Sequence, residues 1–195
     1  MKKFDDRNTR MERIAFDKLA AIHAIFDVFV INCKNAYCLS AYVTIDEMLA
    51  GFRGKCNYRQ YIPFKPNKYG IKILAMCDAE IFYINIMEVY VGKQPDGAYK
   101  ISNSSYDVVT RRCQHFVGTG RNVTIDNWFT SLLLVKTLLS DFKLTVIGTI
   151  RKSKRELPVE FSKPVSRPEK KAGCLDLEMN PLSFPTSQKK AKVYF

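Results

Sequence analysis

The run Val-Thr-Ile-Asp occurs twice in this 195-residue chain, at positions 43–46 and 123–126. In a strand, successive side chains point to opposite faces, so Val43 and Ile45 share one face while Thr44 and Asp46 share the other. The same parity holds from Val123 to Asp126. Each aspartate is expected where its strand stops. Two such strands running parallel as neighbours would bring both carboxylates out at one edge of the sheet, where open α/β sheets place their sites. Paired carboxylates suit hard divalent cations, because Mg²⁺ prefers oxygen ligands and keeps waters for substrate phosphates. A two-metal site of that kind holds the attacking and leaving oxygens of a phosphodiester in line. A plainer role competes, since an aspartate after a strand is often a helix N-cap, and Asp126 before "NWFTSLLL" suits that position.

No other catalytic pattern is present. There is no Gly-rich phosphate loop with its Lys-Ser/Thr and no HExxH, and the chain has only two histidines for any nucleophile-base pair. His115 lies two residues from Cys113, a spacing at which helical side chains do not face each other. His23 reads as a hydrogen-bonded boundary residue. The six cysteines show no CxxC pair and no histidine at finger spacing, which argues for free buried thiols and against structural zinc.

The formal charge is +12, from 31 basic and 19 acidic residues, and its placement says more than its size. Between Gly51 and Cys77 stand Arg53, Lys55, Arg59, Lys65, Lys68 and Lys72 with no acid among them. A second basic block begins at Arg151, Lys152, Lys154 and Arg155. Such a field fits a polyanion, because Lys and Arg that neutralise phosphates release condensed counterions. Tyr58, Tyr61 and Tyr69 are interleaved with the first block, for packing or for base stacking. For the second block, a solvated surface or a nuclear import signal is the alternative.

Periodicity predicts the scaffold that holds these residues. Apolar residues at Leu19, Ile22, Ile25, Phe26, Phe29 and Val30 predict one helix over residues 14–33. "AYVTIDEML", "YRQYIPF" and "YGIKILAMCDAEIFYINIMEVYVG" predict strands joined by tight turns in a meander. "SSYDVVTRRCQHF" predicts a helix, "RNVTID" a strand, "SLLLVKTLLSDF" a helix closed by Asp141, and "KLTVIGTI" a strand. That strand-helix-strand order predicts parallel pairing. Beyond Arg151, five prolines share the chain with Lys and Arg clusters, which predicts a basic extension. At 47% apolar, the composition supplies a real core. The start "MKKFDDRNTRMER" lacks the apolar centre of a signal peptide, and no apolar run reaches the roughly 18 residues of a spanning helix. An intracellular protein without a membrane partner is the expectation.

Taken together, "FDDRNTR", "TIDEMLAGFRGKCNYRQYIPFKPNKYGIKILAMCD", "NVTIDNWFTS" and "LTVIGTIRKSKRELP" resemble the catalytic region of piggyBac-type DDE transposases, most closely over residues 41–158. The resemblance implies an α/β, RNase H-like mixed sheet with flanking helices, incomplete here. It implies residues 1–40 as the end of an N-terminal dimerisation and DNA-binding region, 41–151 as the core, and 152–195 as the start of an insertion. Asp46 of "TIDE" corresponds to the family's first catalytic, metal-holding aspartate and Asp126 of "TIDNW" to its second. Mg²⁺ or Mn²⁺, transposon-end and TTAA target DNA, cut-and-paste strand transfer, a homodimer and a nuclear location are implied with them. The family's third aspartate belongs to a Gly-Gly-Val-Asp segment, which these residues do not contain, and neither Asp141 nor Asp176 sits in such a motif. An incomplete triad, inactive alone, is therefore expected, with a domesticated DNA-binding or protein-interaction module, or a remnant without selected function, as the alternatives.

Overall fold

The computed structural model describes residues 5–151, 154–155, 175–176, 180–181 and 190–194. Two compact units divide the chain, one made of Met1–Leu39 with Asp46–Asn103, the other of Ser40–Ile45 with Ser104–Phe195. They cut across the three segments expected from sequence.

In the first unit, α1 (Arg10–Phe16) and α2 (His23–Ala36) replace the single helix predicted over 14–33. The break has a local cause. Asp17, 3% exposed, accepts from the Leu19 amide and the Gln94 side chain, both at 2.9 Å. Its other oxygen meets His23 Nδ1 at 2.5 Å. A short carboxylate that hydrogen-bonds nearby backbone competes with the helical ladder, and here it wins. His23 is thereby satisfied as expected, with Asp27 3.5 Å from its other ring nitrogen. The expected meander is present in part: β2 (Arg59–Tyr61), β3 (Tyr69–Asp78) and β4 (Ile84–Val89) pair antiparallel in chain order, whereas the strand Tyr42–Gly51 neighbours β3 and not β2. Leu19, Val89 and Val91 form a buried cluster against which Phe26, Tyr58, Ile71 and Ile73 pack. The β3–β4 turn is organised by Asp78, fully buried, which accepts from the amides of Glu80 and Ile81 and from the Tyr37 hydroxyl. Phe82 in that turn adopts φ 59°, a conformation rare for a bulky residue.

The strand β1 (Tyr42–Gly51) contributes its first four residues to the second unit and the rest to the first. In the second unit, β1 pairs parallel with β5 (Asn122–Ile125), and β5 pairs parallel with β6 (Thr145–Arg151), as the strand-helix-strand order predicted. The backbone of β9 (Lys190–Tyr194) adds antiparallel to β6. The short strands β7 (Leu175–Asp176) and β8 (Asn180–Pro181) pair with each other. The helix α3 (Ser105–Cys113) starts at Ser104, whose hydroxyl accepts from the Asp107 amide at 3.1 Å, and buries Val108, Val109 and Cys113. A 3₁₀ turn, Gln114–Phe116, continues it. The helix α4 (Leu132–Ser140) buries Leu134, Val135 and Leu138 and is closed by Asp141, as predicted. Tyr106 on α3 meets Thr137 on α4 at 3.2 Å. Burial pushes the Cys113 thiol up to about 12. The antiparallel strands together with the three parallel strands β1, β5 and β6 and the helices between make the mixed sheet with flanking helices expected from the sequence.

Candidate metal and nucleic-acid site

The alternation expected of both repeats is present: Val43, Ile45, Val123 and Ile125 are all at most 3% exposed, while Asp46 and Asp126 are exposed. The parallel pairing is in register, with Val43 opposite Val123 and Ile45 opposite Ile125. Each aspartate is therefore the residue immediately after the last matched pair of its strand.

Beyond that pair the two strands differ. The expectation that β1 stops at Asp46 is wrong, because β1 runs on to Gly51 with β3 as its neighbour, and the Phe52 amide donates to the Tyr69 carbonyl at 3.3 Å. Gly70 on β3 is required there, since a Cβ would fall on the Ala50 carbonyl oxygen. The Asp46 carboxylate accepts from the Glu47 amide at 2.7 Å. Glu47 in turn pairs with Lys72 Nζ at 2.5 Å, and its carbonyl accepts from Lys65 Nζ at 3.3 Å. Burial, and after it the negative charge of Asp46, pushes the Cys77 thiol up.

The strand β5 does end at Ile125. The Asp126 carbonyl accepts from the amides of Phe129 and Thr130, closing a turn, and the Asp126 carboxylate accepts from the Thr149 hydroxyl at 3.2 Å. The N-cap role allowed for Asp126 falls instead to Ser131, whose hydroxyl accepts from the Leu134 amide at 3.2 Å. The chain needs a full turn between β5 and α4, which moves the cap five residues on. Gly148, opposite Ile125, leaves room for that turn, because a Cβ there would come within 2.8 Å of the Thr130 hydroxyl.

The cations divide by what already holds them. Arg53, Lys55, Arg59 and Lys68 are exposed. The Arg59 guanidinium donates to the carbonyls of Arg53 and Gly54 and lies 5.3 Å from the Tyr69 ring centre. Lys65 is half-buried; Lys72 is committed to Glu47 and to the face of Tyr90. Arg151 donates to Asn127 at 3.3 Å, Lys154 is half-buried, Arg155 is exposed, and Lys152 lies outside the described residues. Tyr58 is half-buried and packs against the core, whereas Tyr61 and Tyr69 are exposed. Among the described residues, no group of three or more His, Cys, Asp or Glu side chains is placed to hold a metal ion, and no helix is long and apolar enough to cross a membrane.

Two participants escaped the sequence reading. Glu47 was visible in "TIDE", but its partner Lys72 lies on another strand. Thr149 becomes identifiable only once Ile125 is known to lie opposite Gly148, which makes it the counterpart of Asp126.

Residues 2–186 match the family described as Transposase IS4. The chain is also similar to a cryo-EM structure of a piggyBac transposase synaptic complex with hairpin DNA, with a TM-score of 0.78 and 40% identity. That match covers 88% of this chain and 36% of the other, so the chain spans about a third of the length of the protein it matches.

Proposed function

For a chain that belongs to the piggyBac-type DDE transposases, we propose that it carries part of the machinery for metal-dependent DNA strand cleavage and transfer at TTAA sites. The observation that carries this reading is the in-register pairing of β1 with β5 through Ile45 and Ile125, each followed in the sequence by an aspartate, Asp46 and Asp126. The donor set fits a hard divalent cation such as Mg²⁺ or Mn²⁺: both carboxylates are exposed, and each has one oxygen oriented by a neutral donor, the Glu47 amide for Asp46 and the Thr149 hydroxyl for Asp126. When bound, such an ion supplies a Lewis acid toward phosphate oxygens. A third acidic group completes the site, and without it these residues bind but do not transfer strands. Asp46 and Asp126 present oriented carboxylates, while Arg53, Lys55, Arg59 and Lys68 hold the DNA backbone. The matched structure is a complex with DNA. The homodimer and the nuclear location are carried by the family resemblance alone.

The test is Mn²⁺ binding to the chain by calorimetry, alongside DNA binding by fluorescence anisotropy. Asp46→Asn or Asp126→Asn is expected to weaken Mn²⁺ binding at least tenfold; unchanged binding in both variants would sink the metal reading. The second reading, a DNA-binding module that does not use its aspartates, is favoured by the exposed cations on and around β2. It gains if salt-dependent DNA binding survives both substitutions and Mn²⁺ does not bind at all.

A further inference from the structure

The β2–β3 hairpin carries more than charge. Tyr61 and Tyr69 are a directly opposed cross-strand pair with ring centres 4.8 Å apart, and they remain 55% and 52% exposed. Arg59, two residues before Tyr61, lies over the Tyr69 ring. At the turn, Phe64 is 97% exposed. Lys68 in the turn and Arg53, whose carbonyl the Arg59 guanidinium reaches, are exposed. Tyr58, in the same stretch of sequence, is half-buried against the core and is accounted for by that packing. Three aromatic rings within one short hairpin leave much of their surface to solvent, and water alone is a poor partner for it.

A duplex presents phosphates to such a surface and hides its base faces. An unpaired strand presents both, and base-aromatic stacking between cations that track the backbone is how proteins hold single strands. We propose that the β2–β3 hairpin is a stacking platform for unpaired DNA bases, with Tyr61 and Tyr69 taking the base, Phe64 supplying a further ring at the turn, and Arg53, Arg59 and Lys68 taking the flanking phosphates. The platform rests on the DNA-binding reading and narrows it: of the DNA this chain meets, the hairpin selects the strand that has left the double helix. The steps are binding and stacking only, with no bond made or broken.

The test uses the 195-residue chain with a fluorescein-labelled mixed-sequence single strand and the same sequence as a blunt duplex, measured by anisotropy at fixed salt. Tyr61→Ala with Tyr69→Ala is expected to weaken single-strand binding roughly tenfold or more, as loss of stacking does, and duplex binding less than about twofold. Tyr61→Phe with Tyr69→Phe keeps the rings and should restore single-strand affinity, which excludes a folding defect as the cause. Arg53→Ala with Lys68→Ala should weaken both ligands and flatten the salt dependence. If the double alanine variant lowers both affinities equally, or neither while the wild-type chain still binds duplex, the platform is overturned and DNA binding stands. Failure of the wild-type chain to bind either DNA overturns both.

Discussion

The two Val-Thr-Ile-Asp runs are identical in letters and unlike in what surrounds them. At the first, the strand passes through Asp46 and continues to Gly51, and the next side chain, Glu47, is tied to Lys72. At the second, the strand ends and Asp126 begins a turn, its carboxylate reached by Thr149 from the neighbouring strand. The shared letters account for the shared part: a β-branched apolar pair facing inward and an aspartate facing outward. Everything after the aspartate is decided by the partner strands, β3 in one case and β6 in the other.

The largest expected effects come from what the two runs have in common. Ile45→Ala and Ile125→Ala each remove a side chain at most 3% exposed, and each should lower stability in urea denaturation by about 2–5 kcal/mol. A loss below about 1 kcal/mol at either would contradict the equivalence of the two strands. The glycines bring out the difference. At Gly70 the added Cβ would lie 2.3 Å from a backbone carbonyl oxygen, whereas at Gly148 its nearest atom, at 2.8 Å, belongs to the Thr130 side chain. Gly70→Ala should therefore cost about 3 kcal/mol and Gly148→Ala about 1 kcal/mol; the reverse order would mean that β1 and β3 yield more easily than the turn after β5.

Smaller effects separate the two candidates for the α4 cap. Ser131→Ala should cost about 1 kcal/mol as an N-cap loss, while Asp126→Ala, at an exposed site, should stay within about 0.5 kcal/mol. If Asp126→Ala is the more destabilising, Ser131 is not the cap that starts α4. The smallest effect is on thiols. At about pH 8, Cys113 should resist iodoacetamide, followed by mass spectrometry, because its thiol stays protonated to about 12. Cys77 should react slowly. Removing the Asp46 charge lowers the Cys77 thiol toward its ordinary value, so Asp46→Asn should speed alkylation by roughly twofold.

Much of this was legible in the sequence, for identifiable reasons. The inward parity of Val43, Ile45, Val123 and Ile125, the meander from Arg59 to Val89 and the β5–α4–β6 unit come from period and turn chemistry, which are local. The aspartates stood out because their setting is repeated. The helix break at Asp17 did not, because it depends on Gln94, far along the chain. The length of β1 did not either, since a strand extends for as long as a neighbour pairs with it, and β3 was not in view. Likewise the sequence could mix Tyr58, Tyr61 and Tyr69 as one aromatic group, while only packing separates the core residue from the exposed pair.

The assignment of the α4 cap to Ser131 has a consequence for descent. Because the turn after β5 is closed by the Asp126 backbone and the helix is started by a different residue, the fold asks almost nothing of the Asp126 side chain. If Asp126 holds the metal as proposed, a single base change there silences a copy without unfolding it. Lineages of this chain can thus lose chemistry and keep shape, and the intact surfaces stay available for selection to put to another use.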